Sequence, residues 1–281
     1  MSADNQQTCA LCQQVRPLKL SHIVPEFLHG PLYEENHSFN TYGHEGRPKA
    51  GYMRKGERQD LLCGECEGRF SVHEGWASDF YKGALSAFAD TTRAEVCFGK
   101  TLKFTRIDAS GQPTTLPVPR ILKIEGFDYV KMKLFLLSLL WRMGVSRLHF
   151  FEEITLGHHE KRIRKMLLDG DPGKAEVYAC QLRLIELNGR LVTDCQIQPK
   201  QYDHLGKKRC KFFSTGFKFD FTVNNHPPDP ESLKLFCVKP SSEYSLWIDS
   251  ILTHQDLRED LVRLGRNMNW SNSGAHESSP F

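Results

Sequence analysis

The chain has no long hydrophobic run, and its first residues lack the positively charged and apolar segments that direct secretion. Its longest apolar stretch, residues 134–145, is interrupted by Arg142 and falls short of the roughly 18 residues that a membrane-spanning helix needs. We therefore expect a cytoplasmic protein with no membrane partner.

The 281 residues also carry little net charge, +3 at pH 7, which is too small an excess to indicate a nucleic-acid partner by bulk electrostatics. Three local basic clusters are candidates for such contacts, with an ordinary solvated surface as the alternative for each: residues 54–58, 161–165 and 207–211. No glycine-rich phosphate loop follows a predicted strand, so nothing in the sequence indicates binding of a nucleotide, flavin or nicotinamide.

The cysteines do not have the pattern of a disulfide framework, because their number is nine and five of them are scattered singly. The other four form two C-x-x-C pairs, Cys9 with Cys12 and Cys63 with Cys66. Each pair can direct two thiolates at one ion, and two pairs complete the tetrahedral site that zinc prefers. Since sulfur would fill all four positions and leave none for water, we expect a structural zinc. An iron or redox dithiol site is the alternative.

Composition and periodicity divide the chain into three predicted parts. Residues 1–75 are rich in His, Gly, Cys and Pro and have little apolar periodicity, which is typical of a small module held by a metal. Residues 76–266 are predicted to form an α+β domain of helices and antiparallel sheet. Residues 267–281, rich in Ser and Asn, are predicted to be a flexible tail.

The spacing of apolar residues predicts the elements of the second part. A helix is expected to open at the second cysteine pair. Further helices are expected over residues 76–94, 127–145, 160–168 and 245–264, and the one over 127–145 is expected to be buried on nearly every side. Strands and turns are expected over residues 95–119. The stretch 175–238 is predicted to be mostly strands, with a turn at Asn188-Gly189.

A further motif, Ser21-His22-Ile23-Val24-Pro25, follows shortly after the first cysteine pair. With the cysteine frame it resembles HNH endonucleases over residues 9–75. The resemblance implies a treble-clef, or ββα-metal, fold in which His22 is the general base that takes a proton from the attacking water. It also implies a divalent ion, Mg²⁺ or Mn²⁺, at the scissile phosphate. An Asn in the intervening loop, best matched by Asn40 or Asn36, would orient the histidine ring.

Two positions depart from the pattern of this family. Ser21 stands where most members have Asp or Glu, and Glu67 stands where they have the closing metal-binding histidine. A carboxylate is a good ligand for a hard cation, so Glu67 could preserve the site, or the change could record a lost one. Glu74, two helical turns on, is a second candidate ligand, with a surface carboxylate as the alternative. Further metal-ligand candidates are His29, His37 and His44.

Segments 137–142 and 156–160 are similar to parts of uncharacterised bacterial proteins that join such a finger to an α+β domain, a resemblance that implies no activity. Together these features predict a bacterial HNH-like endonuclease that cuts nucleic acid, DNA being favoured over RNA. Arg54, Lys55 and Arg58 are predicted to contact its phosphates, and the C-terminal domain to choose a target or a protein partner. Two alternatives stay open: a zinc finger that binds nucleic acid or protein at a degenerate HNH site, and a finger that only braces the larger domain.

Overall fold

In the computed structural model, the described residues are 6–33, 39–42, 52–53, 56–115, 118–224, 237–255 and 257–259. They form a mixed α/β structure with a small three-stranded sheet that carries the cysteine pairs and a large sheet of eleven strands. The α+β class predicted from the sequence is confirmed at this level.

Five strands lie in the N-terminal part: β1 (Gln6–Thr8), β2 (Val15–His22), β3 (Phe39–Tyr42), β4 (Tyr52–Met53) and β5 (Arg58–Cys63). Nine more follow: β6 (Glu95–Phe98), β7 (Leu102–Ile107), β8 (Ile121–Glu125), β9 (Cys180–Leu187), β10 (Arg190–Leu191), β11 (Gln196–His204), β12 (Lys207–Ser214), β13 (Phe217–Thr222) and β14 (Glu243–Ser250). The α helices are α1 (Gly64–Ala89), α2 (Tyr129–Val145) and α3 (His159–Asp169). Short 3₁₀ segments cover Glu26–Leu28, Gly30–Leu32, His149–Phe151 and Ile251–Thr253.

The small sheet has the order β1-β2-β5 and is antiparallel throughout. The pairing of β2 with β5 runs from Leu18 opposite Cys63 to His22 opposite Arg58. Helix α1 starts at the residue after β5, so two antiparallel strands and a helix follow the first cysteine pair. The second cysteine pair lies at the junction of β5 and α1.

The large sheet has the order β4-β3-β11-β12-β13-β9-β14-β8-β7-β6, with β10 paired to β9. Its neighbours are antiparallel except for β3 with β11 and β9 with β14. Three tight turns with positive φ at both residues join successive strands: Asn188-Gly189, Leu205-Gly206 and Thr215-Gly216. Such backbone twist matches that of the flanking strands, which favours two-residue hairpins. The predicted turn at Asn188-Gly189 is confirmed.

Helices α1 and α2 pack against each other, and α1 contacts strands β6 to β8. Aromatic rings fill the interface: Phe80 lies 6.1 Å from both Phe104 and Phe127, and Tyr81 lies 5.1 Å from Phe217. Helix α2 is buried along most of its length, as its composition predicts. No helix in the described part of the chain is long and apolar enough to cross a membrane.

One hydrophobic cluster extends from the cysteine pairs to the large sheet, including Cys9, Cys66, Leu137 and Phe219. The expected boundary at residue 75 lies inside α1, and β3, from the predicted N-terminal module, pairs with β11 of the large sheet. The division into domains 1–75 and 76–266 stays a prediction. The predicted tail, 267–281, lies outside the described residues.

The helix predicted to open at the second cysteine pair is confirmed as α1, which starts at Gly64 and runs without a break to Ala89. The separate helix expected over residues 76–94 is the second half of α1. The expected helix over 245–264 is wrong for its first part, where β14 lies between β8 and β9. Tyr244, Leu246 and Ile248 are buried in alternation, which is the period of a strand. Helices α2 and α3 match their predicted ranges closely.

Candidate metal centre and adjacent histidine site

The thiols of Cys9, Cys12, Cys63 and Cys66 converge, with every sulfur within 4.8 Å of the others. Cys12 Sγ and Cys63 Sγ are 3.9 Å apart. A tetrahedral zinc with bonds of about 2.3 Å would set its sulfurs about 3.8 Å apart. The four cysteines therefore have the spacing to hold a metal ion such as zinc. Among the described residues this is the one group of three or more His, Cys, Asp or Glu side chains close enough to do so.

The backbone of the first pair forms a tight knuckle around its sulfurs. The N–H of Gln13, which has φ 62°, donates to the carbonyl of Cys9, and the N–H of Cys9 donates to the carbonyl of Gln14. The N–H of Ala10 donates to the carbonyl of Leu61 in β5, which joins the knuckle to the second pair. The N–H of Cys63 donates to Cys9 Sγ at 3.3 Å. The side chain of Gln13 adds a bond from its Nε2 to the carbonyl of Ala10 at 2.6 Å, so backbone and side chain together shape the knuckle.

The surroundings of Cys63 favour a thiolate. Burial raises its pKa, but hydrogen bonds from the backbone N–H of Cys66 and from the neighbouring thiols outweigh burial, and its pKa is lowered to about 7. Cys63 is also the N-cap of α1, where the helix dipole stabilises negative charge. Burial is the main cause of the raised pKa of Cys12 and of Cys66. All four thiols can lose their protons together only if a bound cation compensates their negative charge.

His22 lies at the end of β2, directly opposite Arg58 at the start of β5. Arg58 Nε donates to His22 Nε2 at 2.9 Å. Since arginine stays protonated, Nε2 is the acceptor in this bond, and the proton of the neutral ring is on Nδ1. The cross-strand pair thus selects one tautomer of the residue predicted to be the general base.

Ser21, which stands in place of the family's acidic residue, has a structural role in the hairpin. It is 2% exposed. Its hydroxyl accepts from the N–H of Leu62 and donates to the carbonyl of Lys19, both at 3.2 Å. The β2–β5 register shifts beside it, between Lys19 and Leu20, and Ser21 satisfies a donor that this bulge leaves outside the ladder.

Arg142 of α2 links the hairpin to helices α1 and α2. Its side chain is 2% exposed. Nη1 donates to the carbonyl oxygen of His22 at 2.9 Å, Nη2 lies 2.6 Å from Glu74 Oε1 of α1, and Nε donates to the carbonyl of Ser138. Its guanidinium carbon also lies 5.3 Å from the ring centre of Phe70.

A second buried polar group lies behind His22. His29 is 0% exposed, and its ring centre is 6.4 Å from that of His22. Its Nε2 is 3.2 Å from Oε2 of Glu57, which is also buried, and Gln196 Nε2 of β11 donates to Glu57 Oε1 at 2.7 Å. Gly56 lies so close that an added Cβ would be 2.4 Å from the His29 ring. This network connects the hairpin to the large sheet.

A scan against models of known protein families and searches of curated proteins and of solved structures found no match to this chain. The resemblance to HNH endonucleases accordingly stays a prediction, and the function is inferred from the residues of the chain itself.

The two predicted carboxylate ligands lie in different surroundings. Glu67, in the first turns of α1, is half-buried, and its Oε1 is buried with no hydrogen-bond partner among the described residues. Glu74 forms the ion pair with Arg142, which it would have to weaken in order to bind a cation. Between them, His73 has a lowered pKa because it is buried. The metal-binding roles of Glu67 and Glu74 stay predictions.

Several predicted site residues lie outside the described part of the chain: Asn36, His37, His44, Arg54 and Lys55. The backbone of Asn40 is described in β3, but its side chain is not. The neighbouring Thr41 pairs with Gln196, whose side chain binds Glu57. The strand of Asn40 therefore runs beside the polar network behind His22.

Three residues of the site were not predicted from the sequence: Glu57, Arg142 and Gln196. Arg58 is the first residue of β5 and Glu57 directly precedes it, so their places opposite His22 and Ile23, respectively, could have been inferred from a hairpin register. An arginine inside a strongly apolar helix was a signal as well, because a buried charge requires a partner. For Gln196 the sequence offers no such signal.

Proposed function

We propose that this chain is a zinc-stabilised, HNH-like endonuclease of the ββα-metal kind, in which a structural zinc folds the N-terminal module and His22 is the general base. The observation that carries the proposal is the position of His22: it ends β2 of the β2–β5–α1 unit, and its ring bonds the Arg58 side chain at 2.9 Å. The cysteine frame at the other end of the hairpin supports the treble-clef assignment.

Arg58 then has two roles in the proposed reaction. Without substrate its Nε occupies the lone pair of His22 Nε2, which is the lone pair that a general base needs. A phosphate attracts a guanidinium more strongly than a neutral imidazole does, because the pair is charged on both sides and bidentate. Substrate binding would draw Arg58 to the phosphate and leave Nε2 to accept the proton of the attacking water.

A second, divalent ion belongs to this proposal, and Glu67 is the residue that best fits it. Its Oε1 is buried and without a hydrogen-bond partner in the described residues, and a buried carboxylate oxygen in that state favours a cation. Mg²⁺ or Mn²⁺, when bound, would stabilise charge on the phosphate and on the leaving oxygen. His22 and Arg58 would hold the water and the phosphate, and Glu67, which directly follows Cys66 at the cysteine end of the hairpin, would bind the ion. Among the described residues, no group of three or more metal-ligating side chains includes Glu67 or His22.

The second candidate is a module that binds nucleic acid without cutting it. Two observations favour it: the hydroxyl of Ser21 is committed to the hairpin bulge, and Glu74 is committed to Arg142. In this case the departures from the HNH pattern record a lost active site, while Arg58 still contacts phosphate.

A cleavage assay on matched variants separates the two candidates. Plasmid DNA and a mixed RNA are incubated with zinc-loaded protein and Mg²⁺ or Mn²⁺, comparing the parent with His22→Ala. His204→Ala, which removes an exposed histidine of β11, is the control. The proposal predicts metal-dependent cutting that falls at least about 100-fold in His22→Ala, as expected when a general base is lost, and stays unchanged in His204→Ala.

Binding is measured on the same samples. No cutting by the folded parent, together with DNA or RNA binding that Arg58→Ala weakens, would replace the nuclease by the binding module. Equal cutting by the parent and His22→Ala would reject the assignment of His22.

A further inference from the structure

We propose that Arg142 is a positioning residue for His22, through which helix α2 of the large α/β part holds the candidate catalytic end of the hairpin. The role in catalysis rests on the proposed nuclease function, whereas the role in placing His22 can be measured without it. No element of the HNH-like segment 9–75 contains Arg142, so this would make the site dependent on the rest of the chain.

Arg142 contacts His22 itself. Its Nη1 donates to the backbone carbonyl of His22 at 2.9 Å, directly beside the side chain that would accept the proton. Its Nη2 is fixed by Glu74 at 2.6 Å and by Ser138 Oγ at 3.3 Å. A rigid, planar guanidinium held on both sides leaves the His22 carbonyl little freedom.

A neighbouring contact restrains the partner strand at the same level. Gln59 of β5 lies opposite Ser21. Its Oε1 accepts from the N–H of Arg147 at 2.7 Å and from the Ser146 hydroxyl at 3.3 Å, both just past the end of α2. The C-terminal end of α2 and the residues after it therefore form hydrogen bonds with both strands, β2 and β5, close to the His22–Arg58 pair.

Loss of the Arg142 guanidinium should shift the position of the His22 side chain while leaving the histidine itself in place. Arg142→Met leaves Glu74 without its ion pair and the His22 carbonyl without its donor, so the end of β2 can shift against α1 and Arg58. Removal of a residue that orients a catalytic group typically costs 10- to 100-fold in activity, and we expect that range here. Because Arg142 is buried and would make no contact with substrate, the loss should appear in kcat rather than in KM.

Three variants distinguish positioning from general support of the fold. Lys133→Met is the matched control: Lys133 is likewise a fully buried cation of α2, but its Nζ donates to the carbonyls of Val177 and Tyr178, far along the helix from Arg142. Arg142→Lys keeps the charge beside Glu74 but replaces the fork by a single ammonium on a flexible stem. Arg142→Met removes both.

Each variant is measured in three ways. Urea unfolding gives its stability, and steady-state cleavage gives kcat and KM. Nitrogen-detected NMR of labelled histidine reports the tautomer and surroundings of the His22 ring, identified from the spectrum of His22→Ala.

Positioning predicts that the His22 signals move in Arg142→Met and Arg142→Lys and stay unchanged in Lys133→Met. It also predicts a low kcat in Arg142→Lys even where stability recovers, and a normal kcat in Lys133→Met even where stability falls. Unmoved His22 signals in folded Arg142→Met or Arg142→Lys, or a kcat that follows stability across all three variants, would overturn the inference. If the parent cuts nothing, the nuclease proposal fails and the NMR comparison alone decides the role of Arg142.

Discussion

Cys63 combines three structural roles at one position, since it ends β5, caps α1 and contributes a thiol to the metal site. Its thiol lies at the N-terminus of the helix, where the hydrogen bond from the backbone N–H of Cys66 helps to lower its pKa, so one sulfur serves both the helix start and the candidate metal site. The cap and the ligand can therefore be separated by one substitution.

Cys63→Ser should remove the metal while it retains the helix start. Serine is among the best N-cap residues, but its neutral hydroxyl is a poor zinc ligand. We expect about one zinc per chain in the parent and almost none in the variant, measured by elemental analysis. At a free zinc concentration a thousandfold above the dissociation constant of the parent for zinc, the free energy of unfolding should be about 4 kcal/mol lower in the variant.

Cys97→Ser is the control for that substitution, because Cys97 is exposed on β6 and away from the cluster. It should keep its zinc and its stability. Full zinc content in Cys63→Ser would show that the ion is not held by the four cysteines together.

Spacing alone was enough to find the four zinc-type cysteines, because a C-x-x-C knuckle is a local structure. The partners of His22 were harder to foresee. Arg142 contacts His22 from 120 positions along the chain, and Gln196 contacts Glu57 from 139 positions away. Contacts of this kind depend on how α2 and β11 pack, which residue spacing does not encode.

Helix α1 contains glycines in two different surroundings, which allows a test at the scale of one element. An added Cβ at Gly83 would lie 2.3 Å from the Phe104 ring and 3.0 Å from Phe98 Cβ, whereas nothing lies within 4 Å of one at Gly75. Gly83 therefore lets α1 approach β7 closely. Gly75 brings no such contact and only adds flexibility to the unfolded chain.

The two alanine substitutions should change stability in opposite directions. Gly83→Ala forces α1 away from β7 and should cost about 1–3 kcal/mol. Gly75→Ala should stabilise the protein by about 0.5–1 kcal/mol through helix propensity. Urea unfolding of both variants beside the parent measures the difference, and a neutral Gly83→Ala would mean that α1 and β7 pack less tightly than the structure has them.

The elements that were predicted well are those whose burial pattern is unambiguous. Helix α2 has apolar residues on almost every side, and the type of α3 follows from its period and from Gly170, which ends it with φ 67°. Strand β14 was missed because its alternation of Tyr244, Leu246 and Ile248 covers few residues and is followed by polar, helix-compatible sequence. Its pairing with β8 and β9, which lie far away in sequence, makes this segment a strand rather than a helix.

At the scale of the whole molecule, the cysteine frame and the large sheet share one hydrophobic cluster. Helix α1 begins at the cysteine cluster and packs against β6 to β8 of the large sheet, and Arg142 and Gln196 add polar links between the two regions. A zinc module that folded by itself would need few of these contacts. The arrangement favours a single cooperative unit over two independent domains at a boundary near residue 75.

Unfolding in urea with two simultaneous probes tests that cooperativity. Zinc release is followed with a colour-forming chelator, and the β-sheet is followed by circular dichroism. We expect the two transitions to coincide, because loss of the metal exposes Cys9, Cys66 and the start of α1, and these belong to the core of the large sheet. Release of zinc at clearly lower urea, with the sheet signal intact, would instead establish a separable N-terminal module. The bond from Arg142 to the His22 carbonyl favours the first result, since it ties the end of β2 to α2.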